Sequence, residues 1–594
     1  MLQIRDKEKN MIANINMDSL RFFKKYVHKY WKPFCIAVTC LTLEAGCDLM
    51  QPTIMSKIID VGVDGKQMDY IFKMGGVMIL ITLLGAIAAV SRNIISSNVS
   101  QKFGTEMRYD LFKKIQDLSF ENIDKFEGAS LVTRLTNDVT QVQNFVSGLM
   151  RIFVKAPLLC IGSLIMAIRL NAPMALILVV IIPVISIFIA INMHVGYPFF
   201  VKVQKALDRV NSVMREYLSG VRVVKAFNRF GYEKERFEQA NKEQANASIT
   251  AMRVMAVFSP SITLTVNLGI VMVLWLGGFR VNNGSMHVGQ IIAFINYMTQ
   301  ILFSLMMISF VFNTFIRAKA SAERIEEVLS LKNTIDNPLK LVEEFKMKGK
   351  VEFDHVYFSY AGAGGDPVIK DISFKCMPGE TVGIIGSTGS GKSSLVNLIP
   401  RFYDVTSGVI KLDDVNIKDI DSKVLREKIS LVPQKTVLFT GSVIDNIRWG
   451  KEGANFKEVE EAAKVAQTHE FVTAFPEGYE TKLGQGGVNF SGGQKQRVSI
   501  ARALVKKPEV LILDDCTSSV DVATEEKIRV ALKEYSSGLT SLIIAQRITS
   551  VIGADKIIVL DNGLLVGMGK HEELMGNCLI YQDIFHSQLG KEGI

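Results

Sequence analysis

The sequence predicts a multi-domain protein: an all-α membrane domain of six spanning helices with long cytoplasmic extensions, fused to an α/β domain. Three observations carry that expectation. Six apolar runs of membrane-spanning length occupy the first half of the 594-residue chain. From Val351 onward, short apolar strands alternate with helical segments. Between the halves lies a polar, charged stretch, KNTIDNPLKLVEEFKMKG (332–349), that reads as a linker. The expected division is an N-terminal segment with an interfacial helix (1–33), the six-helix domain (34–331), the linker (332–349) and the α/β domain (350–594).

Length alone implies more than one domain, because a single core stops growing at about 250–300 residues. Hydrophobic residues make up 48% of the chain and the net charge is +9. A basic balance can signal nucleic acid, but here Lys and Arg sit mostly in the segments between apolar runs. That is the pattern of a membrane protein whose positive connections stay in the cytoplasm, and it excludes a soluble protein acting on DNA or ribosomes. The seven cysteines are scattered and form no CxxC pair, so neither a zinc site nor a disulfide framework is expected. No cleavable signal peptide is read in the polar and basic N-terminal stretch.

A bilayer core takes about 20 apolar residues as a helix. The six runs fall at 34–54, 74–91, 152–170, 173–192, 256–278 and 289–313. Before the first, SLRFFKKYVHKYWK (19–32) mixes aromatic and basic residues and suits a helix lying at the interface. Connections 55–73, 171–172 and 279–288 are short; 92–151 and 193–255 are long, basic and of helical composition. The long ones read as spanning helices that continue far beyond the bilayer, reversing near 121–125 and 227–232. Charge counting then puts both long connections and both termini in the cytoplasm. Ionisable groups inside spans are costly and are candidates for function. Glu44 and Asp48 are four apart, hence on one helical face. They are candidates for binding a cationic substrate or forming a gate; the alternative is pairing with a cation on a neighbouring helix. Asn267, Asn296 and Gln300 read as interhelical hydrogen-bonding groups.

In the second half, TVGII (381–385) reads as a buried strand followed by GSTGSGKSS: Gly386, Ser387, Thr388, Gly389, Ser390, Gly391, Lys392, Ser393 and Ser394. The spacing fits G-x-x-x-x-G-K-[ST], whose glycines turn backbone N–H groups onto phosphate oxygens. Lys392 supplies charge to the β and γ phosphates, and Ser393 reaches Mg²⁺. The helix that follows adds its positive end. A second strand at 510–513 ends at Asp514, placed to hold Mg²⁺. Between them, FSGGQKQR (490–497) offers a Ser hydroxyl and glycine amides at a helix start. A nucleotide already held by the phosphate loop has no need of this second anion site, so it suits nucleotide held by another copy of the domain.

These residues resemble the ATP-binding cassette family. Gly386–Ser393 looks like its Walker A motif, Gln434 in VPQK like the Q-loop, Ser491, Gly492, Gly493 and Gln494 like the signature, Asp514 like the end of Walker B, and Asp521 like the D-loop. Tyr360 matches the aromatic that stacks on adenine, and Gln434 joins the Mg²⁺ set. RLTNDV (134–139) and GVRVVKAF (220–227) look like the cytoplasmic extensions of exporter half-transporters. The resemblance implies ATP and Mg²⁺ as cofactors, an ATPase coupled to transport, and two chains pairing head to tail around each ATP. Spans and cassette fused in this order resemble exporters, whereas importers usually keep them on separate chains.

Two departures fall in one site. Asp515 stands where the family has the glutamate that polarises the attacking water, and Gln546 where it has the histidine that contacts the γ-phosphate. Phe490 replaces a leucine, apolar for apolar, and Gln485–Gly487 depart from the usual run before the signature. The expectation is one half of a heterodimer: a chain weakly hydrolytic at its own site, paired with a half-transporter carrying the full Glu and His. The expected cargo is a small amphipathic or hydrophobic compound crossing the lipid bilayer of the cell membrane. Met and Phe in the last span (Met298, Phe303, Met306, Met307) suit such cargo. The alternatives are a lipid or peptide exporter, possibly homodimeric, or an ATP-gated protein that does not pump.

Overall fold

The computed structural model describes residues 17–335, 348–360, 366–535 and 538–589. The N-terminal segment 1–16 and most of the expected linker, 336–347, lie outside the described residues. The chain forms two compact units: one runs to Gln116 and resumes at Gly128–Leu331, the other joins Asp117–Glu127 to the chain from Lys332 onward. The second unit therefore claims eleven residues that the linear division assigned to the membrane domain.

In the first unit, six helical stretches are long and apolar enough to cross a membrane. The first helix runs unbroken from Met17 to Lys57. The expected boundary at residue 33 thus falls inside a helix, and the segment read as a separate interfacial helix is the lower part of the first one. Its polar groups find partners on the Met68–Asp117 helix: Lys25 Nζ and Tyr26 Oη both donate to Asp110 Oδ2 at 2.7 Å. Pro33 does not break it, because a proline in a long helix forfeits one hydrogen bond that neighbouring packing offsets.

Two helices extend far past a bilayer's thickness, Met68–Asp117 and Ala172–Ala226. The second reverses at 227–229 into Phe230–Met255, and Arg209 Nη1 of one donates to Glu243 Oε2 of the other at 2.9 Å. Asn171 caps the Ala172 helix by accepting from Met174 N. The RLTND residues form one wide turn, Arg134–Asp138, with π-helical hydrogen bonding. Such a bulge rotates the helix face, and here it aims Asp138 at the last helix (Val288–Ser330). Asp138 Oδ2 accepts from Arg324 Nε at 2.8 Å, and its Oδ1 accepts from Ser321 Oγ at 2.8 Å.

Glu44 and Asp48 are ion-paired. Lys155 Nζ lies 2.5 Å from Glu44 Oε1 and 3.0 Å from Asp48 Oδ2, and Arg92 Nε lies 3.0 Å from Glu44 Oε2. Gln300 fastens the same place, donating to the Asp48 carbonyl at 3.3 Å and accepting from Ser163 at 2.9 Å. Asn296 donates instead to Ile292 O of its own helix.

In the second unit the strands are β1 (Val351–Phe358), β2 (Ile369–Cys376), β3 (Thr381–Gly386), β4 (Ser407–Leu412), β5 (Val415–Asn416), β6 (Ile429–Val432), β7 (Gly441–Ser442), β8 (Lys482–Leu483), β9 (Val510–Asp514), β10 (Thr540–Ile544), β11 (Lys556–Asp561) and β12 (Leu564–Gly569). One antiparallel sheet has the order β2-β1-β4-β5, and the central sheet the order β12-β11-β3-β10-β9-β6. Within the latter, β11, β3, β10, β9 and β6 are parallel. Strand β9 is buried along its whole length, as a parallel strand covered on both faces must be. Phe490 is part of the core: it stacks on Phe475 at 5.5 Å and meets Phe471 edge-on at 5.8 Å.

The intramembrane pairs set an expected order of stability. Removing one partner of a buried pair strands the other charge, at a cost of about 3–5 kcal/mol. Glu44, with a side chain 9% exposed, faces two cations, whereas Asp48 is 35% exposed and faces one. Thermal unfolding of the purified chain should show Glu44→Gln lowering the midpoint well below Asp48→Asn.

Candidate nucleotide site

The site is assembled by strand order. β3, β10 and β9 lie side by side and parallel, with Ile544 opposite both Ile384 and Asp514. Strands about 4.8 Å apart deliver whatever follows them to one edge, and open α/β sheets bind ligands at that edge. Here β3 delivers the phosphate loop, β10 delivers Gln546 and β9 delivers Asp514 and Asp515.

The loop after β3 closes onto a helix, Lys392–Asn397, whose N-cap Gly391 has φ +93°. That left-handed conformation is open to glycine and strained for other residues. Lys392 Nζ donates to the carbonyls of Gly386 and Ser387, each at 2.8 Å, and burial lowers its pKa, against the pull of Asp515 and Asp514. Ser387 Oγ donates to Asp561 Oδ1 at 3.0 Å, a partner outside every motif. Ser390 is buried in the loop, and Thr388 and Gly389 are exposed at its tip. Tyr360 Oη and Ser394 Oγ are 2.9 Å apart, so the aromatic matched to adenine stacking reaches the loop's helix.

Ser393 Oγ donates to Asp514 Oδ1 at 3.0 Å, bringing the two expected Mg²⁺ ligands together. The Asp514 carboxyl is pushed up by burial and by Asp515, while the Ser393 hydroxyl and Lys392 pull it down. Two adjacent buried carboxylates served by one lysine suit a divalent cation, which reverses that balance. The residues present therefore fit Mg²⁺ with ATP, the pair this domain uses.

The two substituted positions touch. Asp515 sits at φ +47°, and its N–H donates to Ile544 O at 2.9 Å, so the backbone itself aims the carboxylate toward β10. Gln546 Nε2 donates to Asp515 Oδ2 at 2.7 Å, and Gln434 Nε2 donates to the same oxygen at 2.9 Å. Two amide donors on one oxygen commit that oxygen. Asp515 and Gln546 are thus in direct contact, and Gln434 joins them on the same oxygen.

The signature begins the helix Gly492–Leu504. Ser491 caps it, its Oγ accepting from Gln494 N at 3.3 Å while Gln494 Oε1 accepts from Ser491 N at 2.9 Å. A Cβ on Gly493 would stand 2.7 Å from the Ser519 carbonyl, so the helix start needs glycine to approach the D-loop. Gln496, which no motif position singled out, donates to Ser518 Oγ at 3.3 Å and accepts from Ser519 N at 3.0 Å. Asp521 accepts from Thr524 N at 2.9 Å and is exposed. Gly486 and Gly487 both take φ +64°, and Lys495 Nζ donates to Gly486 O at 2.9 Å. Glu44 and Asp48 belong to the other unit, in the ion pairs described above.

The shared oxygen makes the pair's energetics non-additive. Groups in one hydrogen-bond network couple by about 0.5–3 kcal/mol. Asp515→Ala and Gln546→Ala together should lower the unfolding midpoint of the purified chain by less than the sum of the single shifts.

Two family models match the chain: the ABC transporter transmembrane region over residues 34–306 and the ABC transporter domain over 369–518. The ABC transporter ATP-binding protein YfiB of Bacillus subtilis (strain 168) is 40% identical over 558 residues, covering 94% of this chain and 96% of that one. The ATP-dependent lipid A-core flippase of Syntrophus aciditrophicus (strain SB) is 29% identical over 99% of this chain and 97% of its own. A solved bacterial Atm1-family ABC exporter with ATP bound shares the fold, with a TM-score of 0.79 over 94% of this chain and 99% of that one, at 23% identity. With six membrane-length helices joined to an ATP-hydrolysing domain of this architecture, the chain belongs to the ATP-binding cassette transporters and has the exporter fold, a multi-pass membrane protein of a family that works as dimers.

Proposed function

We propose that this chain is one half of a heterodimeric exporter that moves amphipathic or hydrophobic compounds across the cell membrane, driven by ATP. Its own phosphate-loop site holds ATP and hydrolyses it slowly; the partner's site, completed by this chain's signature, does most of the work. The observation that carries this reading is the Asp515 carboxylate with one oxygen committed to Gln546 and Gln434. Aspartate is one methylene shorter than the glutamate it replaces, and a misplacement of about 1 Å costs roughly a hundredfold in rate. With an intact capping box at Ser491 and Gln494, the signature keeps its half of the other site.

In this scheme the bound Mg²⁺ supplies positive charge to the phosphates. Lys392, which bonds the Gly386 and Ser387 carbonyls, would serve the β and γ phosphates, and Ser393, Asp514 and Gln434 would hold the metal. Tyr360 would stack on the base, and Gln546 would keep the shortened carboxylate turned aside. A persistently bound ATP biases the cassettes toward contact, as any ligand that prefers one state does. In this reading both termini are cytoplasmic, which the basic composition of the long extensions supports. An amphipathic cargo also agrees with the lipid A-core cargo named for one relative.

Steady-state ATPase with and without the complementary half-transporter tests the scheme. The lone chain should turn over slowly and the pair faster. In the pair, Asp515→Glu with Gln546→His should raise hydrolysis at this site by about ten- to a hundredfold. Vigorous turnover by the lone chain, unaffected by Asp515→Asn, refutes it.

A further inference from the structure

Asp117–Glu127, the turn between two membrane helices, packs within the cassette's own unit. Its short helix Phe120–Ile123 is capped by Ser119, and the buried Asn122 accepts from Ser119 Oγ at 2.8 Å. Phe120 lies against Phe402 at 4.7 Å and Tyr403 at 6.3 Å. Tyr403 Oη donates to Asp124 Oδ2 at 2.7 Å. On its other side the Tyr403 ring meets the Tyr360 ring edge-on, 5.2 Å between centroids. One residue therefore touches both the aromatic matched to adenine and the turn of the membrane helices.

The Tyr360 end of that bridge and the Tyr403 loop are tied to each other. Ser359 N donates to Thr406 Oγ1 at 3.1 Å and Thr406 N to Tyr357 O at 2.9 Å, tying the Tyr360 strand end to the Tyr403 loop. Arg401 Nε donates to Asp404 Oδ1 at 2.8 Å, and Arg426 braces the loop from behind through the Pro400 and Arg401 carbonyls. Burial and the adjoining Asp124 push the Tyr403 hydroxyl's pKa up, so it stays a donor throughout the physiological range. A ring carried on a braced loop and packed against both partners transmits displacement instead of absorbing it, because close-packed side chains do not deform continuously.

We propose that Tyr403 is a positioning residue that reports occupancy of the adenine side of the nucleotide pocket to the 117–127 turn. A base stacked on Tyr360 fixes that ring, the ring edge fixes Tyr403, and the Tyr403 hydroxyl fixes Asp124. Tyr360 also meets Ser394 at the start of the loop's helix, 2.9 Å between hydroxyls, so the base and the phosphates are told apart by a ligand that carries the phosphates alone. The inference rests on the base-stacking role proposed above for Tyr360.

Hydrogen exchange of the 117–127 amides tests it, on the full chain in its native assembly in lipid nanodiscs. Mg-ATP should slow exchange there by about tenfold, and Mg-tripolyphosphate, which fills the phosphate loop without a base, should not. Tyr403→Phe should bind Mg-ATP with a Kd within about threefold of the parent yet lose the slowing. Asp124→Asn, which keeps an acceptor oxygen, should retain it, and Asp124→Ala should lose it. Slowing that survives in Tyr403→Phe, or that tripolyphosphate reproduces in full, overturns the proposal. Unchanged Mg-ATP affinity in Tyr360→Ala overturns it from the other side, by removing the base-stacking role on which it rests.

Discussion

Three parallel strands ending side by side are the constraint on which the rest of the nucleotide site depends. β3, β10 and β9 share hydrogen bonds along their length, so the residues that leave them cannot be moved independently. Gln546 and Asp515 are far apart in the chain and 2.7 Å apart where β10 and β9 end, and the phosphate loop of Lys392 leaves the strand on the other side of β10. Residues 515 and 546 meet for that reason: the Asp515 carboxylate, turned by a left-handed backbone, accepts from the Gln546 amide and from Gln434 on the same oxygen. An uncharged amide donates at any pH, whereas a histidine there would donate from one nitrogen and titrate near neutrality.

The membrane unit obeys a harsher electrostatic rule. A lone carboxylate in hydrocarbon costs several kcal/mol, so Glu44 exists there only with partners. It has two, Arg92 and Lys155, on two different helices, and Asp48 shares the second. Four charges sum to zero across three helices. The arrangement resists sliding of one helix past another, because each displacement uncovers an unpaired charge. The same logic operates at Asp138, whose bulged turn presents both oxygens to Ser321 and Arg324 on the last helix. Charge pairing thus ties these helices to one another.

The turn 117–127 belongs by connectivity to the membrane helices and by packing to the cassette. Its capping residues account for this. Ser119 and Asn122 satisfy each other and also meet Asn333 and Thr334, at the point where the chain leaves the last helix. Phe120 turns its ring to Phe402. Apolar surface, amide groups and the Asp124 carboxylate together decide the allegiance of this segment.

Local chemistry made much of this legible in advance. Apolar runs of the right length declare six spans, because lipid demands internally satisfied backbone over a fixed thickness. The glycine spacing of the phosphate loop and the Ser491–Gln494 capping box are short-range devices, written within a few residues. Asp515 and Gln546 were visible as departures, but their mutual contact was not, since only the strand order joins them. The partners of Glu44 were hidden for the same reason: Arg92 lies at the edge of a basic connection and Lys155 inside an apolar run. Gln496, Asp561 and Tyr403 carry no motif and acquire meaning only from what faces them. The first helix was misdivided at Pro33 because a mixed aromatic and basic stretch looks interfacial, until Asp110 and Glu106 on the next helix are seen to receive its charges. The sequence by itself determined which segments span and which loop cradles phosphate, because those depend on neighbours in the chain. Tertiary structure alone decided which charges pair and which side chains meet the Asp515 carboxylate, because those depend on neighbours in space.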